Sequence, residues 1–339
     1  MGVKLGDLVL KQDITFEELK GKVIAIDASN VIYQFLSSIR QQDGTPLMDS
    51  KGNVTSHLVG LFSRTCNLME KGLKICYVFD GKPPLLKLNT NTLRAARKEL
   101  AQEKYEKAKA EDNIEEMSKY SKQNIKVNAK IIEEAKELVT YLGLPVIQAP
   151  SEAEAQASFM CEQGDVYGVG SQDFDSLLFN APRLIQNLTL SNKRRLPSGS
   201  FIWIKPQVIN LKENLKHLEI NQDQLIIMCI LCGTDYNPGG VKGIGPKTAL
   251  KLVQQHKDFD EIFKEVKADF NWKEIYATFK SMPIMKNYQL KWNDIDEYKL
   301  KKLLIDEHEF SEERINNTLD KLKHVKKEKE QKDLDKWFK

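Results

Sequence analysis

The sequence contains no run of about 18 apolar residues, so no segment is long and apolar enough to cross a bilayer as a helix. The opening Met-Gly-Val-Lys-Leu-Gly-Asp lacks the apolar centre of a secretion signal, which predicts an intracellular protein. An excess of one charge is also missing. Fifty-one Lys and Arg face 48 Asp and Glu, a net of +3, so a nucleic-acid footprint has to be sought locally rather than in the total. The five cysteines (Cys66, Cys76, Cys161, Cys229 and Cys232) are odd in number and irregular in spacing, which excludes a disulfide scaffold. Cys229 and Cys232 form a lone C-x-x-C inside the apolar run 225–232. With no second pair to complete a tetrahedral metal site, they read as core. The five histidines are scattered without H-E-x-x-H, and no internal repeat occurs.

What is present is a soluble globular composition, 41% apolar and 29% charged over 339 residues. The first ~80 residues alternate β-type runs with helical periodicity, the pattern of a parallel α/β sheet. Val23–Asp27 and Ile75–Asp80 read as buried strands, with helices predicted from Val31 to Ile39 and from Thr55 to Lys71. Composition then shifts. Residues 87–130 hold 11 Lys or Arg against 7 Asp or Glu, few large apolar side chains and many helix formers, which predicts an exposed basic helical insertion. Ile131–Leu142 is helical and Leu144–Gln148 a short strand, and Pro150-Ser151 opens another helix. Lys193–Arg195 belongs to a basic hairpin with Pro197 and Gly199, residues 206–320 are mostly helical, and 321–330 alternate in charge as a loosely held tail.

Seven carboxylates stand out. Asp27 and Asp80 close buried strands, and in open α/β sheets sites form at the carboxyl ends of strands. Asp27 can equally cap the following helix, and Asp80-Gly81 can be a turn. Asp173 and Asp175, at i and i+2, face one side if the chain is extended there, where their repulsion calls for a cation, although a surface loop would also tolerate them. Glu152 and Glu154 follow Ser151 at a helix start, and Ser151-x-x-Glu154 fits a capping box. Residues i and i+2 of a helix point apart, so both serve one site only if Glu152 lies in an irregular first turn. Asp235 follows the apolar helix and can be a plain C-terminal turn residue. Together these four places supply the hard oxygen donors that suit Mg²⁺ or Mn²⁺. Phosphodiester hydrolysis with two metals ~3.5–4 Å apart needs such a cluster.

At these residues the chain resembles the flap endonuclease family of 5′ nucleases over essentially its whole length. The motifs that carry the resemblance are Ile26-Asp-Ala-Ser-Asn-Val-Ile-Tyr-Gln-Phe35, Thr55-Ser-His-Leu58, Tyr77-Val-Phe-Asp-Gly-Lys-Pro-Pro84, Ala149-Pro-Ser-Glu-Ala-Glu-Ala-Gln156, Ser171-Gln-Asp-Phe-Asp-Ser176 and Gly233-Thr-Asp-Tyr236. The resemblance implies a PIN-like α/β fold, with a mostly parallel central sheet flanked by helices, an inserted helical arch at 85–130 and a helix–two-turn–helix at 225–256. It implies a catalytic region over 1–320, with an N-terminal part over 1–100 and an internal part over 131–260. It makes Asp27, Asp80, Glu152 and Glu154 ligands chiefly of one Mg²⁺, and Asp173, Asp175 and Asp235 of the other. Lys87 and Arg94 then hold and polarise the scissile phosphate, which suits a charged transition state, and Tyr33 stacks on a neighbouring base.

In the motif Gly240-Val-Lys-Gly-Ile-Gly-Pro-Lys-Thr-Ala249, Gly243 and Gly245 allow close approach of a phosphate at a helix N-terminus. The resemblance makes this stretch, with Lys247, a grip on duplex DNA that also takes a K⁺ ion. It is not a Walker loop, because Pro246 separates Gly from Lys. The terminal Gln331-Lys-Asp-Leu-Asp-Lys-Trp-Phe338 resembles a sliding-clamp (PCNA) box anchored by Gln331, Leu334, Trp337 and Phe338, within a tail over 321–339. Trp337 stands where Phe or Tyr is usual. Adjacent aromatics in a charged tail need a groove to bury them, in a partner or in the domain itself. Residues 2–7 agree with the family mainly at Gly2, and the chain stops at the clamp box as archaeal members do, which predicts a monomer of the cytoplasm or nucleoid, or of the nucleus if the source is eukaryotic. The implied activity is Mg²⁺- or Mn²⁺-dependent cleavage at the base of 5′ flaps in DNA, in Okazaki fragment maturation and base excision repair, with minor 5′–3′ exonuclease action. The competing readings are a sister exonuclease or junction nuclease and a non-catalytic DNA-binding clamp partner.

Overall fold

The structure, a computed structural model, describes residues 5–190, 193–195 and 200–337. Its strands in chain order are β1 (Gln12–Asp13), β2 (Val23–Asp27), β3 (Lys74–Phe79), β4 (Val146–Gln148), β5 (Gly168–Gly170), β6 (Arg183–Gln186), β7 (Lys193–Arg195), β8 (Phe201–Trp203) and β9 (Gln207–Asn210). Seven form one sheet in the order β1-β9-β6-β5-β2-β3-β4. The five strands from β6 to β4 run parallel, and β9 and β1 close one edge antiparallel. This matches the predicted mostly parallel sheet. Strand β9 is a strand that the helical reading of 206–320 missed. The chain adds β3 and β4 on one side of β2 and then crosses to place β5 and β6 on the other, so the topological switch lies between β2 and β5.

Alternation along the strands divides the core. Ile24, Ile26, Ile75, Tyr77 and Phe79 pack with Phe35, Leu61 and Leu138 on one face. Ala25, Cys76 and Val78 meet Ala153, Ala157 and Met160 on the other. The small side chains of this second face let the helix Ala153–Glu162 lie close on the sheet, which carries its N-terminus to the strand ends. The cysteines are free thiols, four of them buried, as read from sequence. A third cluster, centred on Ile226, Ile227, Leu252 and Phe279, builds a helical lobe beside the sheet.

The basic insertion folds as two helices, Leu85–Ala110 and Ile114–Gln123, turned at Asp112 and capped by Asn113. Ala101, Ala108, Met117 and Ile125 are buried, while Leu85, Leu93, Leu100 and Ile114 stay exposed. The tail is better held than its charge pattern suggests. Glu312–Trp337 is one helix whose Ile315, Leu319 and Leu322 join the main core, and Lys323 pairs with Glu297 at 2.8 Å. Just before it, His308 bridges Asp49 (3.0 Å) and Glu134 (3.2 Å), and Glu134 also pairs with buried His57 at 3.1 Å. Gln331 is exposed on the terminal helix, whereas Phe338 and the side chains of Leu334 and Trp337 fall outside the described residues. Pro197 and Gly199 of the basic hairpin also fall outside them. No described helix is long and apolar enough to cross a membrane.

Candidate active site

The parallel strands deliver their carboxyl ends to a single edge of the sheet, and the acidic motifs follow those ends. Asp27 is the last residue of β2 and caps the next helix, accepting from the Asn30 amide at 3.0 Å, so the capping and site readings of this residue are compatible. Asp80 follows β3. Its Oδ1 accepts from the Ala153 amide at 2.7 Å, capping the helix that carries Glu154 from another part of the chain. The Ser151 capping box does not form. Ser151 Oγ instead donates to the Lys82 carbonyl at 2.9 Å, and Glu152 occupies the N-cap with an extended backbone (φ −76°, ψ 129°). Glu152 therefore lies outside the regular helix, the condition under which it and Glu154 can face one site. Close pairing of 80–82 with 149–151 joins the two acidic motifs, through the Gly81 amide to the Ser151 carbonyl (2.6 Å) and the Lys82 amide to the Pro150 carbonyl (3.1 Å). Asp173 follows β5 in a bend, and Asp175 opens the short helix Asp175–Leu178 rather than continuing an extended segment. Ser158 ties that helix to Glu154 by donating to the Glu154 and Ser176 carbonyls at 2.6 and 3.0 Å.

The arch helix supplies the cations. Lys87, Thr90 and Arg94 fall on one helical face at i, i+3 and i+7. Lys87 Nζ contacts Glu152 and lies 3.7 Å from Asp235 Oδ2. Thr90 Oγ1 donates to the Asp235 carbonyl at 2.6 Å, and Arg94 Nη2 reaches Asp235 Oδ1 at 2.7 Å. Thr90 escaped the sequence reading because a lone threonine in a basic helix carries no motif; only its spacing from Lys87 and Arg94 marks it. Among the described residues no three His, Cys, Asp or Glu side chains are placed to hold a metal ion as they stand. Lys87 and Arg94 neutralise Glu152 and Asp235 instead.

Burial and mutual repulsion set the charge states. Desolvation, reinforced by Asp80 and Asp173, pushes Asp27 up to about 8. Glu154 is raised well above the carboxylate range by burial and then by Asp175, Asp27 and Asp173. Burial also raises Glu152, against the pull of Lys87. Burial disfavours the Lys87 charge, but Glu152, Asp235 and Asp80 more than offset it and raise that ammonium. These mutual influences link all seven predicted carboxylates and Lys87 in one field. Tyr33, Gly243, Gly245 and Lys247 make none of the contacts described above. Tyr33 is exposed on the helix Ala28–Ser38. Gly243 adopts φ +84° in the turn before the helix Pro246–Gln255, Gly245 caps that helix, and Lys247 is exposed in its first turn.

The sequence patterns and the fold around this partly buried carboxylate cluster, in which Asp27 and Glu152 are buried and Asp80 is exposed, are shared with known proteins. The XPG N-terminal domain pattern matches residues 1–101 and the XPG I-region pattern matches 143–235. A relative named Flap endonuclease 1, from Pyrococcus horikoshii, is 52% identical over 339 residues, covering 100% of this chain and 98% of its own length. The solved structure of flap endonuclease-1 from Methanococcus jannaschii superposes with a TM-score of 0.78 at 41% identity, covering 97% of this chain and 100% of that one. The catalytic core of Rad2, solved with a DNA substrate, shares the fold at a TM-score of 0.70 and 23% identity, covering 95% of this chain and 100% of that one. The chain belongs to the flap endonuclease 1 family. It is a nuclease, a hydrolase of DNA phosphodiester bonds.

Proposed function

We propose that the chain hydrolyses one phosphodiester at the base of a 5′ flap, serving Okazaki fragment maturation and base excision repair, with 5′–3′ exonuclease action as a minor activity. The supporting observation is the convergence of acidic motifs from the ends of β2, β3, β4 and β5 beneath Lys87 and Arg94 of the arch. The donor set fits two Mg²⁺ ions, with Mn²⁺ as substitute: hard carboxylate oxygens, among them those of Asp27 and Glu154, whose ionisation is opposed by burial and by neighbouring carboxylates. Asp27, Asp80, Glu152 and Glu154 would hold one ion and Asp173, Asp175 and Asp235 the other. Bound there, the ions would supply an activated water and stabilise charge at the leaving oxygen.

The chain's own residues do the rest. Lys87 and Arg94 exchange their carboxylate partners for the scissile phosphate and hold it in place, and Tyr33 offers a stacking face beside it. The 85–130 arch tracks a single strand through its positive charge without reading sequence. At the other end of the footprint, Gly243, Gly245 and Lys247 grip a duplex phosphate where the Pro246–Gln255 amides point outward, with K⁺ as the accompanying ion. Gln331, Leu334, Trp337 and Phe338 dock a sliding clamp on an otherwise monomeric protein of the cytoplasm or nucleoid. A 5′-labelled flap duplex incubated with Mg²⁺ or with EDTA tests the reading. One short product that requires metal supports flap cleavage, whereas a ladder of mononucleotides would replace it with an exonuclease.

A further inference from the structure

The switch point of the sheet separates β2, which ends in Asp27, from β5, which precedes Asp173. One residue touches both carboxylates. The Asn30 backbone amide donates to Asp27 Oδ1 at 3.0 Å, and its side-chain Nδ2 donates to Asp173 Oδ2 at 2.9 Å. Asn30 Oδ1 accepts from the Gln172 amide at 3.3 Å. A backbone N–H can only donate, so this third bond fixes which end of the side-chain amide faces Asp173. Asn30 is the third residue of the helix capped by Asp27, where a cap carboxylate finds its donor. One turn later on the same face, Gln34 Oε1 accepts from Thr189 Oγ1 at 3.0 Å, so this side of the helix is docked across the switch at two levels. Each aspartate thus has one oxygen held by Asn30 and keeps the other for a ligand.

We propose that Asn30 is a positioning residue that sets the separation and orientation of Asp27 and Asp173, and thereby the affinity of the site for divalent cations. The proposal rests on the assignment of those two carboxylates as metal ligands. Hydrogen bonds that orient metal ligands commonly govern affinity by 10–100-fold when removed. A purely structural asparagine would instead affect melting and leave metal affinity unchanged.

The test uses the full chain with Asn30→Ala, which removes the side-chain bonds, and Asn30→Leu, which removes them while keeping the shape. Mn²⁺ binding is measured without DNA by electron paramagnetic resonance, and kcat and KM on a 5′ flap are measured across a Mg²⁺ titration, with Asp173→Ala alongside. Both Asn30 variants are expected to bind Mn²⁺ about tenfold more weakly. They should need correspondingly more Mg²⁺ for half-maximal kcat, recover kcat in excess Mg²⁺ and keep the parental KM for DNA. Parental Mn²⁺ affinity in a folded Asn30 variant overturns the proposal, whether or not its melting temperature falls, provided that Asp173→Ala has lost binding and cleavage. If Asp173→Ala itself binds and cleaves like the parent, the ligand assignment fails first and the proposal falls with it. Should the alanine variant not fold, the leucine variant decides.

Discussion

Arg94 and Asp235, 141 residues apart in sequence, are joined by an Nη2–Oδ1 contact of 2.7 Å that pins the base of the arch to the acidic site. Lys87 makes the parallel contact to Glu152 on the same helical face. The cations assigned to the substrate phosphate are therefore already aimed at the site, held by the carboxylates that they must release. Replacing either with a neutral side chain (Lys87→Met or Arg94→Met) is expected to lower kcat by ~10²–10³, the usual loss for a preorganised group facing transition-state charge. Single-turnover kinetics with saturating enzyme measure this directly. A loss confined to KM would make these residues binding contacts alone.

Asp27 gives the metal-free protein a pH signature. Its folded pKa of about 8 lies above the ~3.9 of an unfolded aspartate. A carboxyl raised on folding binds its proton more tightly in the native state, so stability is lost as pH rises from about 4 and levels off above about 8. Thermal melts in EDTA should fall across that window, and the fall should be reduced in Asp27→Asn. Mg²⁺ should raise the melting temperature more at pH 8 than at pH 5, because it binds the ionised carboxylates. A pH-independent effect of Mg²⁺ on melting would separate stability from this cluster.

Gly81 joins the two acidic motifs. A Cβ added there would stand 2.2 Å from the Ala149 carbonyl oxygen and 2.5 Å from that of Pro150, both backbone atoms. Gly81→Ala must therefore push apart the segments that bring Asp80 to Glu152. The expected cost is about 1–3 kcal/mol in denaturant titration, with weaker Mn²⁺ binding in the folded fraction. Unchanged metal affinity in a destabilised variant would make the junction a matter of folding alone.

The terminal box predicts a clean separation of activities. Deleting residues 331–339 removes Gln331, Leu334, Trp337 and Phe338 but none of the carboxylates. Basal flap cleavage should persist while stimulation by a sliding clamp disappears. A truncated chain still stimulated like the full one would place clamp contacts elsewhere.

Much of this was legible in the sequence because strand periodicity and strand ends are local properties. Val23–Asp27 and Ile75–Phe79 announce themselves as buried, and in a parallel sheet Asp27 and Asp80 must then share an edge. The capping box at Ser151 misled because the competing partners were distant. Asp80 caps that helix across 73 residues, and Ser151 turns to Lys82, interactions that no local pattern encodes. β9 was missed for the same reason, since its four residues become a strand only by pairing with β6 and β1. The alternating charges of 321–330 hid a helix held by sparse apolar positions, Ile315, Leu319 and Leu322. Thr90 lies in no motif, and Asn30, though inside the motif 26–35, has nothing there to mark its role; both emerge only from the distances around Asp173 and Asp235.

The most direct test of the central claim compares the parent chain with Asp175→Ala on a 5′-labelled flap duplex, in Mg²⁺ and in EDTA. The parent should yield a single short product ending near the flap base, in Mg²⁺ only. Asp175→Ala should lose more than about a hundredfold in rate, beyond the loss typical of residues that merely orient ligands, while binding the duplex as tightly as the parent. Cleavage by the parent in EDTA, or near-parental cleavage by Asp175→Ala in Mg²⁺, would contradict a metal-dependent carboxylate site.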